Sequence, residues 1–432
     1  MRIEELHLQN FRGFRELKLT LPSDLAVFIG SNGSGKSSIL DSIAILLSQF
    51  VSAFRRKDSQ GFKGKGLRDD DININSDMTF NNICVVIDSN NTLSWNIIRF
   101  KYGEHSNNTE AIKEYAVQIL QDLEDKPDLS IPIFVYYQTQ RIVINSSSGK
   151  YIATNQFDAY RASTSTITDF RDFFEWFKEE EEYENEIRLR ENIDFRNNNL
   201  EIVRKALETF LEGFPDTEFS DLHIVRVSSS REGGIRHLSK PSLVIKKNGE
   251  NFKIDQLSDG EKTLLMIVVD IARRLAILNP SITNPSELLE KGTGIILIDE
   301  IDLHLHPQWQ RIVIPSFRKT FPNCQFIVTT HSPQVLSGVN RENVFILEDS
   351  KILEFTPHTF GRDSNSILFE VMGVEKRPVK MQERIDKCFE MIDNDNLEEA
   401  KLELQKLSEL LGNNDPELVR AYTLIDFLNR VE

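Results

Sequence analysis

Leu25-Ala-Val-Phe-Ile29 runs without a break into Gly30-Ser-Asn-Gly-Ser-Gly-Lys-Ser37, and the fold is decided here. Five consecutive apolar residues read as a strand buried on both faces. Past the glycines, Ile39, Ile43, Leu46 and Leu47 recur at helical spacing through Phe50. Strand, glycine-rich turn and helix in that order give G-x-x-x-x-G-K-[ST] the context in which it binds phosphate. Glycines let the backbone curl so that its N–H groups face one concavity, and the helix N-terminus adds positive potential. The pattern predicts a cradle for ATP made by Gly30, Ser31, Asn32, Gly33, Ser34 and Gly35 and continued by Lys36, Ser37 and Ser38. Lys36 is expected on the β- and γ-phosphates, and the Ser37 hydroxyl on Mg²⁺. A chance glycine-rich turn would lack the two flanks.

Far downstream, Ile295-Ile-Leu-Ile298 ends in Asp299-Glu300. A strand capped by two acids is a common surface turn, but after a phosphate loop it predicts Asp299 in the Mg²⁺ shell and Glu300 orienting the attacking water. About 40 residues before it lies Leu257-Ser-Asp-Gly-Glu-Lys262, followed by helical spacing to Leu278. Ser258 also reads simply as a helix N-cap. Thr329-Thr-His331-Ser-Pro333 follows a strand over residues 325–328. His304 and His306 lack a third or fourth ligand nearby, so they read as structural, not as a metal site.

Working outward, Ile3, Leu6, Leu8 and Leu17, Leu19, Leu21 alternate as two half-buried strands. Residues 83–87 and 93–100 predict a strand pair turning at Asp88-Ser-Asn-Asn91, 111–123 a helix, and 131–137 another buried strand. The acidic stretch 170–189 and amphipathic 200–211 predict helices standing out from the head as a short arm. Without three or four sustained heptads, no long coiled coil is expected. The expected organisation is an α/β head N-lobe over 1–150, an inserted helical arm over 151–220, a C-lobe over 221–360 and a helical tail over 361–432. Tail helices should break at Asp393-Asn394 and at Gly412-Asn-Asn-Asp-Pro416.

At 432 residues with a net charge of −16, the chain is unlike a protein that binds nucleic acid over its whole surface, which is usually basic. Local clusters such as Arg55-Arg-Lys57, Lys63 and Lys65 read as solvated loop charge. No apolar run reaches the roughly 20 residues of a membrane span, and the N-terminus lacks a signal peptide's apolar stretch. Cys84, Cys324 and Cys388 are too few and too scattered for a disulfide framework or a zinc site. A cytoplasmic protein is expected.

Together the motifs resemble the ABC-type AAA-domain ATPases related to SMC, RecF and OLD proteins: a mixed β-sheet head with helices, covering the first 50 residues and 255–350. In that group the Ser258–Gly260–Glu261 segment is the signature, which completes the nucleotide site of a facing subunit and so implies a homodimer. The resemblance further implies that His331 contacts the γ-phosphate, that Asp302 and Leu303-His-Leu-His-Pro307 form the interface D-loop, and that Arg12 of Asn10-Phe-Arg-Gly13 lies near the nucleotide. Gln138 or Gln140 is the Q-loop residue, with Gln138 taken as the Mg²⁺ sensor. Catalysis thus falls to Glu300, His331 and Lys36.

Residues 299–307, Gly361-Arg-Asp-Ser-Asn-Ser366 and the tail after Arg377-Pro378 are similar to the Septu-type PtuA group. That similarity implies an ATP-hydrolysing subunit of anti-phage defence that controls an HNH-type nuclease. The resemblance covers stand-alone and retron-linked systems, and in the retron-linked form it implies a DNA or reverse-transcribed DNA/RNA element in the complex. OLD-type relatives carry a TOPRIM nuclease after the head. Here Asp393-Asn-Asp395 sits between helices instead of at a strand end, and no nuclease site is expected in this chain. The alternative is a RecF- or SMC-like repair ATPase that binds DNA directly.

Overall fold

The Leu25–Ile29 run forms the third of the strands, and its five apolar side chains are all at most 1% exposed. The computed structural model describes residues 1–54, 64–88, 91–103, 106–142, 155–164, 168–215, 217–226, 241–375 and 377–431. Arg55, Arg56, Lys57 and Lys63 and the Ser89-Asn90 turn lie outside them.

The first part comprises β1 (Arg2–Phe11), β2 (Phe14–Thr20), β3 (Leu25–Gly30), α1 (Lys36–Ala53), β4 (Met78–Asp88), β5 (Asn91–Phe100) and β6 (Ser106–Asn108). Then come α2 (Glu110–Asp125), β7 (Ile133–Tyr137), β8 (Arg141–Ile142), β9 (Thr168–Asp169), α3 (Arg171–Arg190) and α4 (Asn198–Leu211). The middle holds β10 (Phe219–Val225), β11 (Ser242–Lys247), β12 (Glu250–Lys253), α5 (Asp259–Leu278) and α6 (Pro285–Lys291). It continues through β13 (Gly294–Ile298), α7 (Pro307–Thr320), β14 (Cys324–Thr329), α8 (Pro333–Leu336), β15 (Val344–Glu348) and β16 (Lys351–Ile352). The chain closes with α9 (Ser364–Glu370), α10 (Val379–Asp393), α11 (Leu397–Leu411) and α12 (Pro416–Val431).

The central sheet has the order β16-β15-β3-β14-β13-β7, parallel except for the edge strand β16. Strands buried on both faces lose alternation, which explains the continuous apolar runs at β3, β7 and β13. An antiparallel sheet, β2-β1-β4-β5-β6, provides the second layer. Gln325 joins the two: its Oε1 accepts from the Ile3 amide at 2.7 Å and its Nε2 donates to the Ile3 carbonyl at 2.9 Å. α1 packs on strands of both sheets, and the Trp95 indole donates to its Leu46 carbonyl at 2.9 Å. A helix covered on both sides needs apolar residues all round, and Ile39, Leu40, Ile43, Leu46 and Leu47 are wholly buried.

The helices over 171–211 correct one expectation. They do not stand out from the head. α4 packs on α5, α6 and α7, with Phe210 against Phe317 at 4.8 Å and Phe214 against Trp309 at 4.8 Å between ring centroids. The first turns of α3 bury Phe173, Phe174, Trp176 and Phe177. Acidic composition suggested projection, but the first turns of α3 are buried all round, Glu175 included, and the buried Glu184 pairs with Arg204 of α4 at 2.9 Å.

The chain divides into two compact units, Met1–Ile367 and Leu368–Glu432, a boundary a few residues beyond the expected 360/361. The second unit has its own core of Ile385, Cys388, Ile392, Ala400, Leu404, Leu407, Leu418, Ala421 and Ile425. Its helices break where Asp393-Asn394 and Gly412–Pro416 indicated, and Gly412 takes a φ of 83°. Arg377 clamps Asp415 bidentately at 2.8 and 2.9 Å.

Candidate active site

β3 delivers Gly30 to the start of the phosphate loop. A side chain there would strike the Leu347 carbonyl oxygen at 2.2 Å, and its φ is 148°, so glycine is required. Gly35 caps α1 in a left-handed conformation, where a Cβ would meet the Phe14 ring at 2.5 Å. Lys36 folds back over the loop, its Nζ donating to the carbonyls of Gly30 at 2.9 Å and Ser31 at 3.0 Å. Burial lowers the Lys36 ammonium below its usual pKa, while Asp299, Glu300 and Asp302 act in the opposite direction.

β13 and β14 lie side by side and bring the acids to this loop. Ser37 Oγ donates to Asp299 Oδ1 at 3.1 Å, and Thr329 Oγ1 donates to the same oxygen at 2.6 Å. That threonine oxygen also accepts the Glu300 amide at 2.7 Å. Glu300 has a φ of 48°, a sparsely populated region for a non-glycine residue. Asn32, Gly33, Gly35, Lys36, Ser37, Ser38, Asp299, Glu300 and His331 line one cavity of about 180 Å³. Ser34 is buried beneath it, 3% exposed.

His331 is set by the neighbouring turn. Asp302 Oδ1 accepts from Thr330 Oγ1 at 2.5 Å and from the His331 amide at 3.4 Å. Ser332 Oγ donates to Gln310 Oε1 at 2.7 Å, and Gln310 Nε2 donates to the Leu305 carbonyl at 2.9 Å.

Arg12 and Gln138 line a separate cavity of about 460 Å³, with Asp41, Lys65, Arg68 and Asp71. Arg12 bonds Asp41 at 2.6 Å and Asp71 at 2.9 Å, and reaches Ser38 Oγ at 3.4 Å. Burial would lower its pKa, but the two carboxylates outweigh burial and raise it. Gln138 is half-buried at the end of β7, while Gln140 is exposed.

The segment expected to be the signature lies elsewhere. Ser258 caps α5 in a capping box with Glu261: Ser258 Oγ donates to Glu261 Oε2 at 2.9 Å, and the Glu261 amide donates back at 3.4 Å. Lys247 Nζ donates to Glu261 Oε1 at 2.6 Å. Gly260 lies on the D-loop, where a Cβ would meet the His304 carbonyl oxygen at 2.3 Å. Ser258 and Asp259 are exposed, and neither Ser258, Gly260 nor Glu261 lines the cavity around Lys36.

Residues 25–337, which carry every one of these motifs except Arg12, match the family described as "AAA domain, putative AbiEii toxin, Type IV TA system". The chain belongs to this AAA-domain ATPase family. It is 31% identical to the "Retron Vc95 probable ATPase" of Vibrio cholerae serotype O1 biovar El Tor, over 89% of this chain and 81% of that one. The "Septu protein PtuA" of Bacillus thuringiensis is 26% identical over 96% and 95% of the two chains. Among solved structures, an SMC head bound to the C-winged helix domain of ScpA gives a TM-score of 0.43 at 16% identity, covering 82% and 98%.

For an AAA-domain ATPase the donors at Ser37 and Asp299 suit Mg²⁺. They are hard oxygens, a hydroxyl and a carboxylate, which this ion takes together with phosphates and water instead of an all-protein cage. Among the described residues no group of three His, Cys, Asp or Glu could hold a metal. Several contributors escaped the sequence reading. Thr329, quoted only as part of a motif, bridges Asp299 and Glu300. Asp41 had one available signal, as the sole acid in α1. Asp71 had none, because only the fold carries it to Arg12.

Proposed function

We propose that the chain binds and hydrolyses ATP with Mg²⁺ at the Lys36 cavity, in a homodimer whose signature segments complete each other's sites. The observation that carries this reading is a division within one chain. Lys36, Ser37, Asp299, Glu300 and His331 share one cavity, while Ser258 and Asp259 stand exposed at the start of α5. A phosphate chain in the cavity would displace Lys36 Nζ from the Gly30 and Ser31 carbonyls and take its charge. The ion would add positive charge against the γ-phosphate, held by Ser37 and Asp299. Glu300 is the group to orient water and accept its proton, with His331 facing the γ-phosphate.

In this reading the ATP-bound dimer is the closed state of a switch and hydrolysis opens it. The retron and Septu relatives support a place in anti-phage defence, and a cytoplasmic location belongs to the same reading. There the ATPase would govern an HNH-type nuclease subunit, with DNA or a reverse-transcribed element reached through that complex.

Glu300→Gln is the direct test. Nucleotide should still bind, turnover should fall about a hundredfold or more, and the ATP-dependent dimer should persist in size-exclusion chromatography. Turnover at the wild-type rate would remove Glu300 from its role, and full turnover by a strict monomer would remove the composite site.

A further inference from the structure

α5 is an apolar helix with one buried ionic cluster. Asp270, 3% exposed, accepts from Arg273 Nη2 at 2.8 Å, Arg274 Nε at 2.7 Å and the Tyr137 hydroxyl at 2.9 Å. Arg274 also donates to the carbonyls of Ala159 and Arg161, the latter at 3.2 Å. Burying such a group is costly, and well-packed apolar residues often serve stability equally well. What a hydrogen-bonded charge adds is a fixed distance and direction.

The direction here is informative. Tyr137 is the last residue of β7 and is 1% exposed. Its carbonyl accepts the amide of Asp299 at 2.9 Å, and the next residue is Gln138. Asp270 lies twelve residues, about 18 Å of helix, from Ser258 at the N-cap of α5. One buried bond thus links the helix that carries the signature to the strand end that holds the Asp299 main chain.

We propose that the Tyr137–Asp270 hydrogen bond pins the end of β7 to α5, making Tyr137 a positioning residue for the Asp299 and Gln138 side of the site. It transmits the placement of the signature helix to the Mg²⁺ side of its own head. This rests on the reading of Ser37 and Asp299 as the Mg²⁺ side.

Tyr137→Phe in the full chain removes one hydroxyl and leaves Asp270 with both arginines, so the fold should survive. Without nucleotide, hydrogen–deuterium exchange in segments 133–138 and 294–300 should accelerate about tenfold, the scale of one hydrogen bond to a charged group. Segment 25–37 should not change. With nucleotide, the Mg²⁺ concentration for half-maximal hydrolysis should rise about tenfold, and Mg²⁺-free ATP affinity should stay the same. Unchanged exchange in those two segments, or acceleration spread evenly over the chain, overturns the proposal. A wild-type chain that does not hydrolyse ATP would instead defeat the functional reading, and the exchange measurement would still decide the pin.

Discussion

At the scale of single residues, the site depends on a hydroxyl that serves two acids. Thr329 Oγ1 donates to Asp299 and accepts from the Glu300 amide. It thereby fixes Glu300 at a backbone angle few residues adopt freely. Thr329→Val keeps the volume and shape of the side chain and removes both bonds. Stability should drop by about 1–3 kcal/mol, the cost of leaving a buried amide without that partner. Turnover should fall more than nucleotide binding does, because Lys36 and the loop amides are untouched. Calorimetric melting together with binding and turnover assays checks this, and a variant equal to wild type in all three would show that the bridge is idle. The Lys36 contacts belong to the same scale: its amine satisfies the carbonyls of Gly30 and Ser31, and on the proposed reading phosphate oxygens would compete for it.

At the scale of elements, the start of α5 and the D-loop form one unit. Gly260 lies against the His304 carbonyl, and His304 itself has a φ of 62°. Two effects oppose each other in Gly260→Ala. Alanine favours the helix by about 1 kcal/mol. A Cβ 2.3 Å from backbone oxygen, however, must push two main-chain segments apart, an overpacking worth about 1–3 kcal/mol. The clash should win, since neither partner is the free end of a side chain. The variant should melt at lower temperature and, on the proposed composite-site reading, lose the ATP-dependent dimer while each monomer still binds nucleotide. Analytical ultracentrifugation with and without ATP provides the check.

At the scale of the whole molecule, the second unit carries its own core, so removing it should leave the nucleotide machinery intact. A chain ending at Ile367 should stay folded and bind ATP with an affinity within about twofold of the full chain, since every residue lining the Lys36 cavity belongs to the first unit. If the tail is where a nuclease partner engages, the truncated chain should fail to retain that partner in co-purification. Loss of ATP binding on truncation would mean that the units are not energetically separate.

The sequence alone determined the glycine-rich turn between strand and helix at 30–37, the strand ending in Asp299-Glu300, the helix that Ser258 caps and the three tail helices. Each is written locally: glycines where backbone must approach closely, apolar runs where a strand is covered on both faces, and a capping serine with its glutamate three residues on. The tertiary structure alone decided the rest. It drew 171–211 onto the head because the first turns of α3 bury four aromatic side chains and α4 packs on α5, α6 and α7, a balance composition cannot weigh. It placed Arg12 between Asp41 and Asp71 and tied Tyr137 to Asp270, pairs 29, 59 and 133 residues apart. Partners so distant share no local pattern, because only the order in which strands assemble brings them within reach.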